Sequence, residues 1–147
     1  DRDAVVMPNG DEIWLNEENA NEVKLLLSTV ETVIGGDGSC AYFGGCGGGF
    51  YHFGNVAPST RYHWFLPGFL QPYDEEKEFE SVINGRALVV SGGYAREMTG
   101  SPESWRMEAW CPFSVENSQE LARVLGAPVI VEGRWAIFQL NREAVIK

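Results

Sequence analysis

The sequence has no long hydrophobic run and few basic residues, and each shortage excludes a class of protein. No apolar stretch in the 147 residues approaches the roughly 18–20 residues that a membrane-spanning helix needs. Lysine and arginine number 11 against 21 aspartate and glutamate residues, so the net charge is −10. Because the basic residues are scattered singly, no patch could displace counterions from nucleic-acid phosphates. We therefore expect no nucleic-acid partner, with an acidic mimic of nucleic acid as an open alternative.

The chain also lacks a signal peptide, an initiator methionine and any complete catalytic motif. Its start, Asp1-Arg2-Asp3, is charged, which predicts an excised domain or a processed product. Neither the phosphate-binding pattern G-x-x-x-x-G-K-[ST] nor the nucleophile pattern G-x-S-x-G occurs. The acidic cluster between Glu75 and Glu80 is interpreted as a solvated helix start rather than a pair of catalytic acids. We therefore predict no catalytic residues.

Cysteine is scarce, and its odd count prevents full pairing within the chain. The three cysteines are Cys40, Cys46 and Cys111. Cys40 and Cys46 flank part of a glycine-rich stretch, so free thiols, a disulfide and a metal site are all open interpretations. With His52 and His63 they form a ligand set that zinc accepts, but their spacing is looser than structural zinc sites usually show. We predict neither a metal nor a cofactor.

What is present suits a single α/β domain over residues 1–147. Hydrophobic residues make up 44% of the chain, enough for a core of its own. Cap residues and helical apolar spacing predict three helices, over 17–34, from Asp74 to Asn84-Gly85, and over 118–125. Predicted strands lie around a turn within 5–15, at 39–43, at 87–90, and in a hairpin of 129–131 with 135–138. The order favours a small, open, mainly parallel sheet with a C-terminal antiparallel hairpin.

Two segments stand out as candidate binding surfaces. Residues 44–49 are almost all glycine, which predicts a loop where backbone approaches a ligand closely, and 50–53 form a short helix or part of the core. Residues 58–68 place one arginine among aromatic and imidazole rings, a set that could stack on sugars and pair with a phosphate or carboxylate. A buried strand is the alternative. Residues 92–113 show no clean period and are predicted to be a long loop. The candidate substrate-binding residues are Arg61, Tyr62, His63, Trp64, His52, Tyr51, Gly47 and Gly48.

The second of these segments also carries a family resemblance. Residues 58–90, PSTRYHWFLPGFLQPYDEEKEFESVINGRALVV, are similar to the C-terminal extramembrane segment of polytopic glycosyltransferases of the GT-C type. These are prokaryotic relatives of the dolichyl-phosphate-mannose and polyprenyl-phosphate-sugar transferases. The matching residues are Pro58, Thr60, Arg61, Tyr62, Phe65, Pro67 and Gly68, followed by the helix from Asp74 and the strand at 87–90. The chain departs from the pattern at Cys40, at Cys46, in the glycine run and in the segment with Trp105 and Trp110.

The resemblance implies that a membrane-embedded part of the same polypeptide precedes this domain and holds the catalytic acids. The domain would then lie on the extracytoplasmic face of a cell membrane. There it would help to position the acceptor or the lipid-phosphate sugar, without performing the transfer itself. Two other hypotheses stay open: a free-standing acidic binding or inhibitor protein of phage or bacterial origin, and a small enzyme that uses His52, His63 and Cys46.

Overall fold

The chain begins with a two-stranded antiparallel hairpin that stands apart from the main sheet. The structure, a computed structural model, describes residues 3–34, 38–44, 47–54, 56–60, 70–91, 98, 105–131 and 134–140. Strand β1 (Asp3–Val6) pairs with β2 (Glu12–Leu15). Between them the N–H of Gly10 donates to the Met7 carbonyl at 2.8 Å, and Gly10 has a φ of 94° that suits glycine. The predicted turn is confirmed.

Helix α1 (Glu17–Ile34) has the bounds that the sequence predicts. Asn16 caps it, since its Oδ1 accepts a hydrogen bond from the N–H of Asn19 at 2.8 Å. One side of α1 buries Leu26, Val30 and Ile34 against the main sheet. Its first turns pack against the hairpin instead, so α1 lies between the two sheets.

The main sheet has five strands in the order β4-β3-β5-β7-β6. Its strands are β3 (Ser39–Phe43), β4 (Ala57–Pro58), β5 (Ala87–Ser91), β6 (Val129–Val131) and β7 (Trp135–Gln139). Strand β3 is parallel to β4 and β5, whereas β7 is antiparallel to β5 and β6. The α/β domain and the C-terminal hairpin are therefore confirmed, with parallel pairing confined to three strands of a mixed sheet.

Helices cover both faces of this sheet. They are α2 (Gly47–Gly54), α3 (Pro72–Ile83), α4 (Met107–Trp110) and α5 (Val115–Val124). Side chains alternate along β3 and β5: Tyr42 and Val89 face α1 and α2, while Phe43 and Val90 face α3, α4 and α5. Because both faces are buried, the central strands are continuously apolar.

The structure corrects several predicted boundaries. The glycine run is a loop only in part, because α2 begins at Gly47, and the short helix expected at 50–53 belongs to it. Helix α3 begins at Pro72 rather than after Asp74, since the fixed φ of proline suits a first turn. Helix α5 begins at Val115, not at Ser118, because Ser114 Oγ accepts from the N–H of Asn117. Helix α4 interrupts the loop predicted for 92–113, of which 92–97 and 99–104 lie outside the described residues.

Candidate functional site

Strand β3 ends in a glycine that lies beside the end of β5. The two strands are parallel, with Phe43 opposite Val90, so Gly44 and Ser91 follow side by side. Gly44 has a φ of 141°, a value that side-chain-bearing residues rarely adopt. A Cβ placed on Gly44 would overlap Ser91 Oγ. The positive φ therefore favours glycine here, and an added Cβ would also force the Ser91 hydroxyl to move.

The same two strand ends form a topological switch point. After β3 the chain enters α2, which packs on the α1 face of the sheet through Phe50 and Tyr51. The helices that follow β5, namely α4 and α5, pack on the opposite face. Open α/β sheets bind ligands in the crevice that such diverging connections leave at the carboxyl ends of the strands. We call this place the switch crevice and define it by Gly44, Gly47, Gly48 and Ser91.

The start of α2 gives the switch crevice its chemistry. Helix α2 begins at Gly47, three residues after Gly44, so the Cα atoms of Gly44 and Gly47 lie within about 10 Å of each other. The first N–H groups of a helix have no partner within the helix, and the helix dipole makes this end partly positive. Gly47 and Gly48 add no side chain that would keep a ligand away. The arrangement suits an anionic group such as a phosphate.

Tyr51 lies in the core rather than on the candidate binding surface. Its side chain is buried, and its hydroxyl donates to the carbonyl oxygen of Cys40 at 3.2 Å. Burial raises the pKa of the Tyr51 hydroxyl above its ordinary value. The ring of Phe50 next to it stacks on Tyr42 at 4.9 Å between centroids. These contacts hold the side chains of α2 against β3.

His52 faces the N-terminal hairpin. Its Nε2 lies 3.1 Å from Oδ2 of Asp11, and both side chains are more than half exposed. Neither this contact nor the one between Tyr51 and Cys40 involves Gly44 or Ser91. These two contacts instead join α2 to β3 and to the turn of the N-terminal hairpin.

The predicted residues Arg61, Tyr62, His63 and Trp64 lie outside the described residues. The structure does place the chain on either side of them. Before them, Thr60 is buried and the N–H of Ser59 donates to the Cys40 carbonyl at 2.9 Å. After them, Leu70 packs against the core beneath α3.

Two of the three cysteines lie in the part of the chain that the structure describes, and both have buried thiols. Cys40 and Cys111 are both free and buried. Burial raises the pKa of the Cys111 thiol to about 11, and burial likewise raises that of Cys40. Both are therefore neutral at pH 7. Over the residues that the structure describes, no three histidine, cysteine or acidic side chains could hold a metal ion, while Cys46 and His63 lie outside them.

A cavity of about 660 Å³ lies beside α5, and the sequence does not predict it. Trp105, Phe113 and Leu125 supply apolar walls, and Arg123 is a charged residue in its lining. The signal was present, since residues 115, 118, 119 and 122 of its lining follow the spacing of one helical face. Its volume falls in the range of ligand pockets. It lies against α4 and α5, whereas the switch crevice lies where α2 begins.

No protein-family model, curated protein or solved structure matches this chain. No described helix combines the length and the apolar character that crossing a membrane requires. The function is therefore inferred from the geometry of the site and from the resemblance carried by residues 58–90.

Proposed function

We propose that this chain is an extracytoplasmic, non-catalytic domain of a membrane glycosyltransferase. In this role it helps to position the acceptor or the lipid-phosphate sugar, while the membrane-embedded part of the same polypeptide carries out the transfer. The observation that carries the proposal is the switch crevice, where a glycine-headed helix begins at the carboxyl end of β3. Such a place suits the phosphate of a lipid-linked sugar.

The segment with the family resemblance supports the proposal through its place in the sheet. Its first residue, Pro58, belongs to β4 and lies opposite Cys40 of β3. Its last residues form β5, whose end, Ser91, belongs to the switch crevice. The resembling segment thus begins in β4 and ends in β5, the two strands that flank β3.

A substitution at the start of α2 tests this function in the complete membrane protein. Gly48→Glu adds bulk and negative charge to the switch crevice, while an acidic residue in a first helical turn is compatible with the helix. We expect the KM for the lipid-phosphate sugar to rise about tenfold, equal to about 1.4 kcal/mol of lost binding. The readout is sugar transfer at varied donor concentration.

Tyr73→Glu is the matched control, because Tyr73 is exposed and is the second residue of α3, as Gly48 is of α2. This control should leave the KM unchanged. Equal effects of Gly48→Glu and Tyr73→Glu, or no effect of either, would contradict the proposed role of the switch crevice. Circular dichroism of both variants separates a binding defect from unfolding.

A further inference from the structure

The outer face of the N-terminal hairpin is apolar although α1 covers only its inner face. Val5 and Met7 are buried against α1, and the partly buried Ile13 and Leu15 pack beside them. Side chains alternate along a strand, so Ala4, Val6 and Trp14 point the other way. Trp14 is 59% exposed and Val6 is 68% exposed. We call Ala4, Val6 and Trp14 the hairpin patch.

The register makes the hairpin patch continuous. Ala4 lies directly opposite Trp14, and Val6 lies opposite Glu12, so Val6 and Trp14 are diagonal neighbours. An antiparallel sheet with one face on a core normally carries polar side chains on the other. Here three of the four outward residues are apolar, which points to a surface that something else covers.

The size of the patch argues against a stable protein dimer as its occupant. The exposed part of Trp14 contributes on the order of 100–150 Å², and the whole patch on the order of 300 Å². A stable protein–protein interface buries about 800 Å² on each partner. A single exposed tryptophan beside small apolar residues instead suits the interface between water and lipid, where tryptophan is enriched.

The surrounding charges define which lipid surface fits. Asp11, Glu12, Glu17 and Glu18 are exposed in the hairpin and in the first turn of α1 beside it. These carboxylates repel anionic headgroups, whereas zwitterionic headgroups carry no net charge to oppose them and offer ammonium groups that bind the ring face of tryptophan. We propose that the hairpin patch rests on a zwitterionic lipid surface.

This inference rests on the proposed function in one respect. If the domain belongs to a membrane protein, a bilayer is close to it, and the hairpin patch has a lipid surface within reach. The hairpin patch would then set how the domain sits on the membrane, and hence which way the switch crevice faces. The contact needs little affinity of its own, because the tether keeps its effective concentration high.

Fluorescence quenching by brominated lipid tests the contact directly. The 147-residue chain is attached by a C-terminal histidine tag, at the end away from the hairpin, to phosphatidylcholine vesicles that contain nickel-chelating lipid and brominated phosphatidylcholine. The matched variants are Trp14→Phe and Trp135→Phe, each of which removes one tryptophan; Trp135 belongs to β7 of the main sheet. Bromine quenches only tryptophan that enters the lipid layer.

We expect bromine-dependent quenching in the original chain and in Trp135→Phe, and its loss in Trp14→Phe. Replacing part of the phosphatidylcholine with phosphatidylglycerol should weaken the quenching. No quenching, or quenching that persists in Trp14→Phe, overturns the proposal. So does a dimer in sedimentation experiments that Val6→Ser or Trp14→Ser abolishes, since a second copy would then occupy the patch. Because no sugar transfer is measured, failure here is distinct from failure of the Gly48→Glu test.

Discussion

Gly44 and Ser91 lie side by side at two strand ends, and neither position is prominent in the sequence. Gly44 is the first residue of a glycine run, and the sequence predicts only that this run has little side-chain bulk. Which of the glycines is constrained depends on the neighbour that the fold brings to it, here the hydroxyl of Ser91. Tyr51 illustrates the opposite case, since an aromatic residue in a candidate site is held in the core by the Cys40 carbonyl.

Gly44→Ala should be strongly destabilising. The added methyl meets Ser91 Oγ, and the φ of 141° is unfavourable for alanine. We expect the free energy of unfolding, measured in urea, to fall by about 3 kcal/mol. Gly10→Ala is the control, since Gly10 also has a positive φ but nothing within 4 Å of the added atom. It should cost about 1 kcal/mol.

Replacing Ser91 as well separates the steric contact with its hydroxyl from the backbone strain at Gly44. In the double variant Gly44→Ala/Ser91→Ala, part of the loss should return, because only the backbone strain and a weaker contact persist. Equal losses for Gly44→Ala and Gly10→Ala would show that the close approach of Gly44 and Ser91 is absent.

At the scale of elements, local signals predict most of the helices and strands but fail where tertiary contacts decide. Helix α1 is predicted correctly because its cap and its apolar spacing are both local. Helix α2 is missed at its start because three glycines oppose a helix. The contacts of Phe50 and Tyr51 with β3 stabilise it instead, and no sequence window contains those contacts.

Helix α5 shows another tertiary effect at an element boundary. Glu75 of α3 accepts hydrogen bonds from the N–H of Ser114 at 3.0 Å and from Nδ2 of Asn117 at 2.6 Å. It therefore caps α5 from a neighbouring helix, next to the local cap from Ser114 Oγ. In the sequence, Glu75 looks like one more acidic residue of a solvated first turn.

Glu75→Ala should consequently destabilise the domain by about 1–2 kcal/mol, since it removes the two carboxylate oxygens that accept hydrogen bonds from Ser114 and Asn117 at the start of α5. Glu80→Ala, an exposed change in the same helix, should stay within about 0.5 kcal/mol of the original chain. Urea unfolding of both variants gives the comparison. A Glu75→Ala variant as stable as Glu80→Ala would mean that the link between α3 and α5 contributes nothing.

At the scale of the whole molecule, strand order turns separate segments into one site. The sequence predicts an α/β domain and its C-terminal hairpin, and both are present. It does not predict that β5 lies between β3 and β7, because that order depends on contacts between residues far apart in the chain. The switch crevice exists only through this order, which brings Gly44, before α2, to Ser91, some fifty residues later.

Amide chemical shifts of the isotope-labelled 147-residue chain, recorded during titration with a water-soluble short-chain polyprenyl-phosphate sugar, test the role of the switch crevice most directly. Saturable shifts should be largest at Gly44, Gly47, Gly48 and Ser91, where the phosphate meets the start of α2. Shifts confined to Trp105 and Phe113 beside α5, or no saturable shift at all, would contradict a binding role for this crevice.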